Sequence, residues 1–185
     1  MQFLVDLWVP ILVSGLAVFV VSALAWTALP HHKKEFGRLA NEDAVMDAIR
    51  AGNPSPGRYH TPHMADFSES GSAEGKAKLA RGPVTFITVA PSGLPGMGPM
   101  MVKSFLFNLF VAAFVAYVAW HVLPAGTEYL QVFRVTGSIA FMAFALAMVP
   151  DSIWFARPWS SFLLQAFDSL LFALVLAGIF GWLWP

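Results

Sequence analysis

The chain has 185 residues, 57% hydrophobic and 12% charged, with 11 basic and 11 acidic side chains. Soluble domains carry about 25% charged residues, so the composition excludes an ordinary water-soluble fold, and zero net charge leaves no basic field for nucleic acid. Cysteine is absent, which excludes disulfides and thiolate metal sites.

Leu7 to Leu29 runs 23 residues without a charge, against the roughly 20 needed to cross about 30 Å of hydrocarbon. Pro10 falls in its first turn, where a missing N–H is tolerated. Ala23-Leu24-Ala25 imitates a signal-peptide cleavage pattern. The preceding residues lack Lys and Arg and contain Asp6, so a retained helix is expected. Pro30 ends it. His31, His32, Lys33 and Lys34 follow at once, a positive-inside anchor that would also hold anionic lipid headgroups.

Residues 30–103 form the only long polar stretch and carry nine of the eleven Lys and Arg residues. This reads as a cytoplasmic loop domain. Asn41 is placed as a helix N-cap, Glu42 and Asp43 favour the positive end of the dipole, and Val45, Met46 and Ile49 give one apolar face. With Gly52 as a stop, a short amphipathic helix over 42–51 is expected. Residues 53–57 break the chain, and 58–64 read as extended. The Ser/Glu/Gly-rich segment 66–75 reads as mobile, with a helical turn or two over 73–80 stopped by Gly82-Pro83. Val84 to Val89 reads as a strand. A lone strand is unstable in water, so it is expected to pair with 58–64 in a hairpin-like unit. The Gly/Pro/Met-rich residues 91–101 read as a linker.

Three further spans are expected over 105–123, 129–149 and 162–183, joined by tight connections. The fold class is therefore all-α integral membrane, a bundle of four transmembrane helices with a small loop domain between spans 1 and 2. Arg157 lies between the third and fourth spans, on the same side as the 30–103 segment. The positive-inside rule then places both termini outside and 30–103 in the cytoplasm. All seven Trp residues fall near span ends, where an indole keeps its N–H wet. Ala173, Ala177 and Gly181 line one face of the fourth span, with weaker pairs at Ala112/Ala116 and Ala143/Ala147. Such faces suit close helix contact. No internal repeat supports an inverted-repeat transporter.

The combination LPHHK, NEDAVMDAIR, PGRYHTPH, IWFARPW and a terminal FGWLWP resembles a group of uncharacterised bacterial four-span inner-membrane proteins. The resemblance runs along nearly the whole chain and implies a bacterial origin and a four-span fold. It implies no activity, cofactor or site residue.

Arg134 and Asp168 are charges inside spans, and such residues are costly enough to be functional candidates. Arg134 lies about 8 Å below one end of its span and Asp168 about 9 Å above the other end of its own. In a core of about 30 Å the gap is about 13 Å, beyond the roughly 10 Å that two side chains span. Arg134 is therefore expected to snorkel towards Glu128 or Asp6. Asp168 is expected in a polar cluster with Asn108 and Gln165, either fixing helix packing or relaying protons or ions. His60-x-x-His63 offers imidazole ligands with Met64, Met97, Met100 and Met101 in the same segment. The set is incomplete, and its ordinary reading is a pair of interfacial loop residues.

No nucleophile–base arrangement or phosphate loop is present, so no enzyme is expected. The functional expectation is an accessory subunit docking on other membrane proteins through its helices. The alternatives are a small transporter or channel around Asp168, and a metal-binding protein or enzyme at His60 and His63.

Overall fold

The computed structural model describes residues 2–93 and 96–185, with the side chains of Lys34 and Phe67 left aside. It divides into two compact units, Met1–Phe36 with Gly96–Pro185, and Gly37–Pro95.

The first unit is a helical bundle. Among the described residues, four helices are long and apolar enough to cross a membrane: Trp8–Thr27, Met97–Val122, Tyr129–Trp154 and Trp159–Trp182. The chain is thus a multi-pass membrane protein by the length and composition of its helices. A short helix α1 (Gln2–Asp6) precedes α2 (Trp8–Thr27), and the two are joined at the fully buried Leu7.

The second span, α6 (Met97–Val122), begins eight residues before the expected start at 105. Pro99 stands in its first turn, where no N–H is needed. Gly and Pro there open the helix, so residues 97–101 of the expected 91–101 linker are helical; Leu94 and Pro95 of that linker lie outside the described residues. The third span divides into α7 (Tyr129–Ala145), a 3-10 turn at Leu146–Met148 and α8 (Val149–Trp154). Pro150 at the start of α8 has no N–H for the ladder, which tightens the turn before it. The fourth span, α9 (Trp159–Trp182), starts three residues before the expected 162, directly after Pro158.

The bundle core repeats at helical spacing. Ile11 and Val18 of α2, Val115 and Ala119 of α6, Val132 and Ala140 of α7, and Leu176 and Phe180 of α9 are all buried. Close backbone approach occurs where side chains are missing. A Cβ on Gly137 would stand 3.1 Å from that of Ala177, and one on Gly181 would stand 2.6 Å from the Tyr129 ring. The fourth-span stripe Ala173, Ala177 and Gly181 is therefore turned inward against α7. Ala112 and Ala116 are also buried, whereas Ala143 and Ala147 face outward, because the buried small residues near that turn are Ala140 and Ala145. At the terminal end, Trp120 Nε1 donates to Asp6 Oδ2 (3.1 Å) and Trp184 Nε1 to the Pro124 carbonyl (3.0 Å).

The second unit carries α3 (Glu42–Ala51), at the expected place, though Asn41 does not cap it with its side chain. Arg38 Nε instead pairs with Glu42 of the first turn at 3.1 Å. Strands β1 (Gly57–Thr61) and β2 (Thr85–Val89) pair antiparallel, Tyr59 opposite Ile87, as a two-stranded sheet. They are not a direct hairpin, because α4 (Phe67–Gly71) and α5 (Ala73–Arg81) lie between them in sequence. The segment expected to be mobile is capped twice. Asp66 accepts from Glu69 N at 2.9 Å, and Ser72 from Gly75 N at 3.0 Å. Glu69 in turn accepts from Ala65 N at 2.8 Å, a variant of the reciprocal capping box. A side chain at Gly75 would collide with the Glu69 carbonyl, which is why glycine stands where α5 meets α4.

Candidate metal centre

Several polar residues of the bundle meet at its loop end, where α2 finishes and α9 begins. Pro30 ends the first span, and His31–Lys34 follows as a 3-10 turn closed by Lys33 N to Pro30 O (3.1 Å) and Glu35 N to His32 O (3.0 Å). With three residues per turn, consecutive side chains splay by about 120°. Both imidazoles nevertheless reach one carboxylate, because it has two oxygens. His31 Nε2 lies 2.8 Å from Asp168 Oδ1, and His32 Nε2 lies 2.7 Å from Asp168 Oδ2. The two ring centroids are 4.2 Å apart. Asp168 is 1% exposed and His32 7%.

A second layer fixes these groups. His32 Nδ1 lies 2.8 Å from Glu35 Oε2, one turn on. Trp26, in the last turn of α2, stacks on the His32 ring at 4.0 Å and 3°. Arg157 comes from the connection before α9, where Ala156 adopts a positive φ of 54°. Its guanidinium donates to Gln165 Oε1 at 2.8 Å and to Glu35 Oε1 at 3.5 Å. The chain of contacts therefore runs Asp168, His32, Glu35, Arg157, Gln165. Truncating Trp26 to alanine removes an aromatic pair worth about 0.5–1.5 kcal/mol. Thermal unfolding in detergent should fall by roughly 2–4 °C per kcal/mol in a chain of this size, with Trp26→Phe keeping most of it.

An ionised carboxylate only accepts hydrogen bonds. His32 faces a carboxylate on each nitrogen, so both of its nitrogens need a hydrogen as the ring stands. Burial works against that charge and is the largest single influence. The hydrogen bonds to Asp168 and Glu35, with their negative charges, together outweigh it and raise the His32 pKa above its ordinary value.

A divalent cation satisfies the same atoms another way. One ligand atom each from His31, His32 and Asp168 lie within 4.8 Å of one another. Around tetrahedral zinc, ligands at about 2.0–2.2 Å stand about 3.3 Å apart. The observed imidazole–carboxylate separations of 2.7 and 2.8 Å are about half an ångström short of that value. Glu35 on the outer nitrogen of His32 matches the carboxylate that orients a metal-bound histidine.

The other sequence candidates fall elsewhere. Asp168 takes its partners from the turn after the first span, whereas the expected cluster paired it with Asn108 and Gln165. Gln165 is engaged by Arg157, and Asn108 is buried on α6. Arg134 is exposed on α7 and has no carboxylate within 4.0 Å among the described residues. The Asp6 carboxylate expected to receive it is held by Gln2 and Trp120. His60 and His63 bring their ring centroids to 5.0 Å. Among the described residues they join no third His, Asp or Glu at ligand spacing. His31 and His32 were hidden in a charge run that a topology anchor explains, and Glu35 and Arg157 carried no signal of their own. Of the residues read as a headgroup anchor, His31 and His32 turn inward to Asp168, Lys33 is exposed, and the Lys34 side chain lies outside those described. Compared with protein-family models, curated proteins and solved structures, the chain matches none.

Proposed function

We propose that this is a membrane protein that binds a divalent transition-metal ion of the zinc class through His31, His32 and Asp168. One observation carries the reading: ligand atoms from two segments 136 residues apart converge in a buried position. Two imidazoles and a carboxylate suit zinc, and equally the two-histidine, one-carboxylate set of ferrous sites. Three protein ligands leave a coordination position for water or substrate. The loop end carries nearly all the basic residues, which supports a cytoplasmic metal centre with both termini outside, in a bacterial inner membrane.

The small-residue stripe of α9, one of the features behind the accessory-subunit reading, packs on α7 of the same chain. The transporter reading has less support than the metal reading. Away from the loop end, the buried Ser14 and Thr136 direct their hydroxyls to carbonyls of their own helices, Pro10 and Val132.

The test is metal content by mass spectrometry, on protein purified from membranes without chelator and loaded with zinc. Near-stoichiometric metal is expected in the natural chain and in His60→Ala/His63→Ala. It should be lost in Asp168→Asn and in His31→Ala/His32→Ala. Metal retained by both of these last variants would sink the reading.

A further inference from the structure

The terminal half of the bundle holds a second feature that the metal centre does not use. Between α7 and α9 lies a cleft of about 280 Å³. Arg134, Gly137, Ser138 and Phe141 form its α7 wall, and Leu170 and Leu174 lie on its α9 wall. The α7 residues recur at i, i+3, i+4 and i+7, so the cleft follows the helix axis for about 10 Å. Its lining is apolar except at Arg134 and Ser138. Arg134 sits five residues inside the span, on the side nearer the end of the bundle that holds Tyr129. The groove then runs inward from it towards Phe141.

A guanidinium at this depth is costly unless it snorkels to water or an anion meets it. Among the described residues no carboxylate lies within 4.0 Å of Arg134. A planar guanidinium pairs well with a phosphate through two parallel hydrogen bonds. An apolar trough leading away from that cation, towards the bilayer centre, has the polarity of a phospholipid lying alongside the span. Gly137 shapes the trough. Its missing side chain brings α7 against Ala177 and leaves the floor of the groove unfilled.

We propose that the α7–α9 groove is a phospholipid site, with the lipid phosphate on the Arg134 guanidinium and one acyl chain lying along Ser138 and Phe141 against Leu170. The site is independent of the metal centre.

Native mass spectrometry of the full chain in a mild detergent reads this out. Phosphatidylglycerol, dioleoylglycerol and glycerol phosphate would be added separately. The first supplies phosphate and chains, the second chains alone, the third phosphate alone. A retained phosphatidylglycerol adduct is expected, with little retention of the other two. Arg134→Gln should weaken retention about tenfold, the equivalent of one charge-assisted hydrogen bond. Ser138→Trp keeps the cation but fills the groove, and should displace the lipid as well. Helix content and elution volume check that each variant is folded. Equal retention of phosphatidylglycerol by natural chain and Arg134→Gln, or of dioleoylglycerol and phosphatidylglycerol by the natural chain, would overturn the proposal. Tight binding of glycerol phosphate alone would do the same.

Discussion

Replacing Asp168 by alanine is expected to lower stability by about 3–5 kcal/mol, the range for removing one member of a buried charge pair. Asp168 is the shared partner of two imidazoles and is itself 1% exposed. Its loss leaves His31 and His32 side by side, with ring centroids 4.2 Å apart and no acceptor between them. It also removes the link from the His31–Lys34 turn to α9 that uses both histidines. Asp168→Asn should be milder in packing but still damaging. An amide offers one acceptor oxygen, and its NH₂ then opposes whichever imidazole N–H faces it. Thermal unfolding with saturating zinc and with chelator separates packing from metal. An ion present at 100 times its dissociation constant stabilises by about 2.7 kcal/mol. Chelator should therefore lower the midpoint of the natural chain and leave that of Asp168→Asn unchanged. A chelator effect of equal size in both would remove Asp168 from the ligand set.

The second large effect is expected at Gly15. A Cβ there would stand 3.1 Å from Leu109 Cα and 3.2 Å from its Cδ1. The nearer obstacle is backbone, which cannot swing aside as a side-chain tip can. Gly15→Leu should force α2 and α6 apart, at a cost of about 1–3 kcal/mol or more. Helix association in lipid rests on this kind of close approach, so no hydrophobic gain offsets the loss. Leu16→Ala, next in sequence but 53% exposed towards lipid, should change stability by less than about 0.5 kcal/mol. Denaturant titration in a fixed detergent compares the two. Similar midpoints would mean that α2 and α6 do not pack through Gly15.

The four spans were legible because a bilayer permits few alternatives: a run of 23 uncharged residues such as Leu7 to Leu29 has little other use. Helix starts were less legible. Gly98 and Pro99 read as breakers although both lie in the first turn of α6. The 66–75 segment read as mobile from its composition. Its order comes from Asp66 and Ser72 acting as caps, and spacing carries that signal where composition does not.

The site was half legible. Asp168 stood out as a carboxylate inside a span, but its partners were sought only within spans, at Asn108 and Gln165. They lie in the turn just past the first span, at the same end of the bundle. The pair His31-His32 was absorbed into the basic run that ends in Lys33-Lys34, where charge alone gave a sufficient account. An imidazole pair next to a span end, level with a lone buried carboxylate, is the combination that would have exposed it.

X-ray absorption at the zinc edge, on the natural chain loaded with zinc, tests the central claim most directly. The account predicts two histidine nitrogens at about 2.0–2.1 Å and carboxylate oxygen at about 2.0–2.2 Å, a pattern abolished in His31→Ala/His32→Ala. The same spectrum from that variant, or a spectrum that changes only when His60 and His63 are replaced, would contradict it.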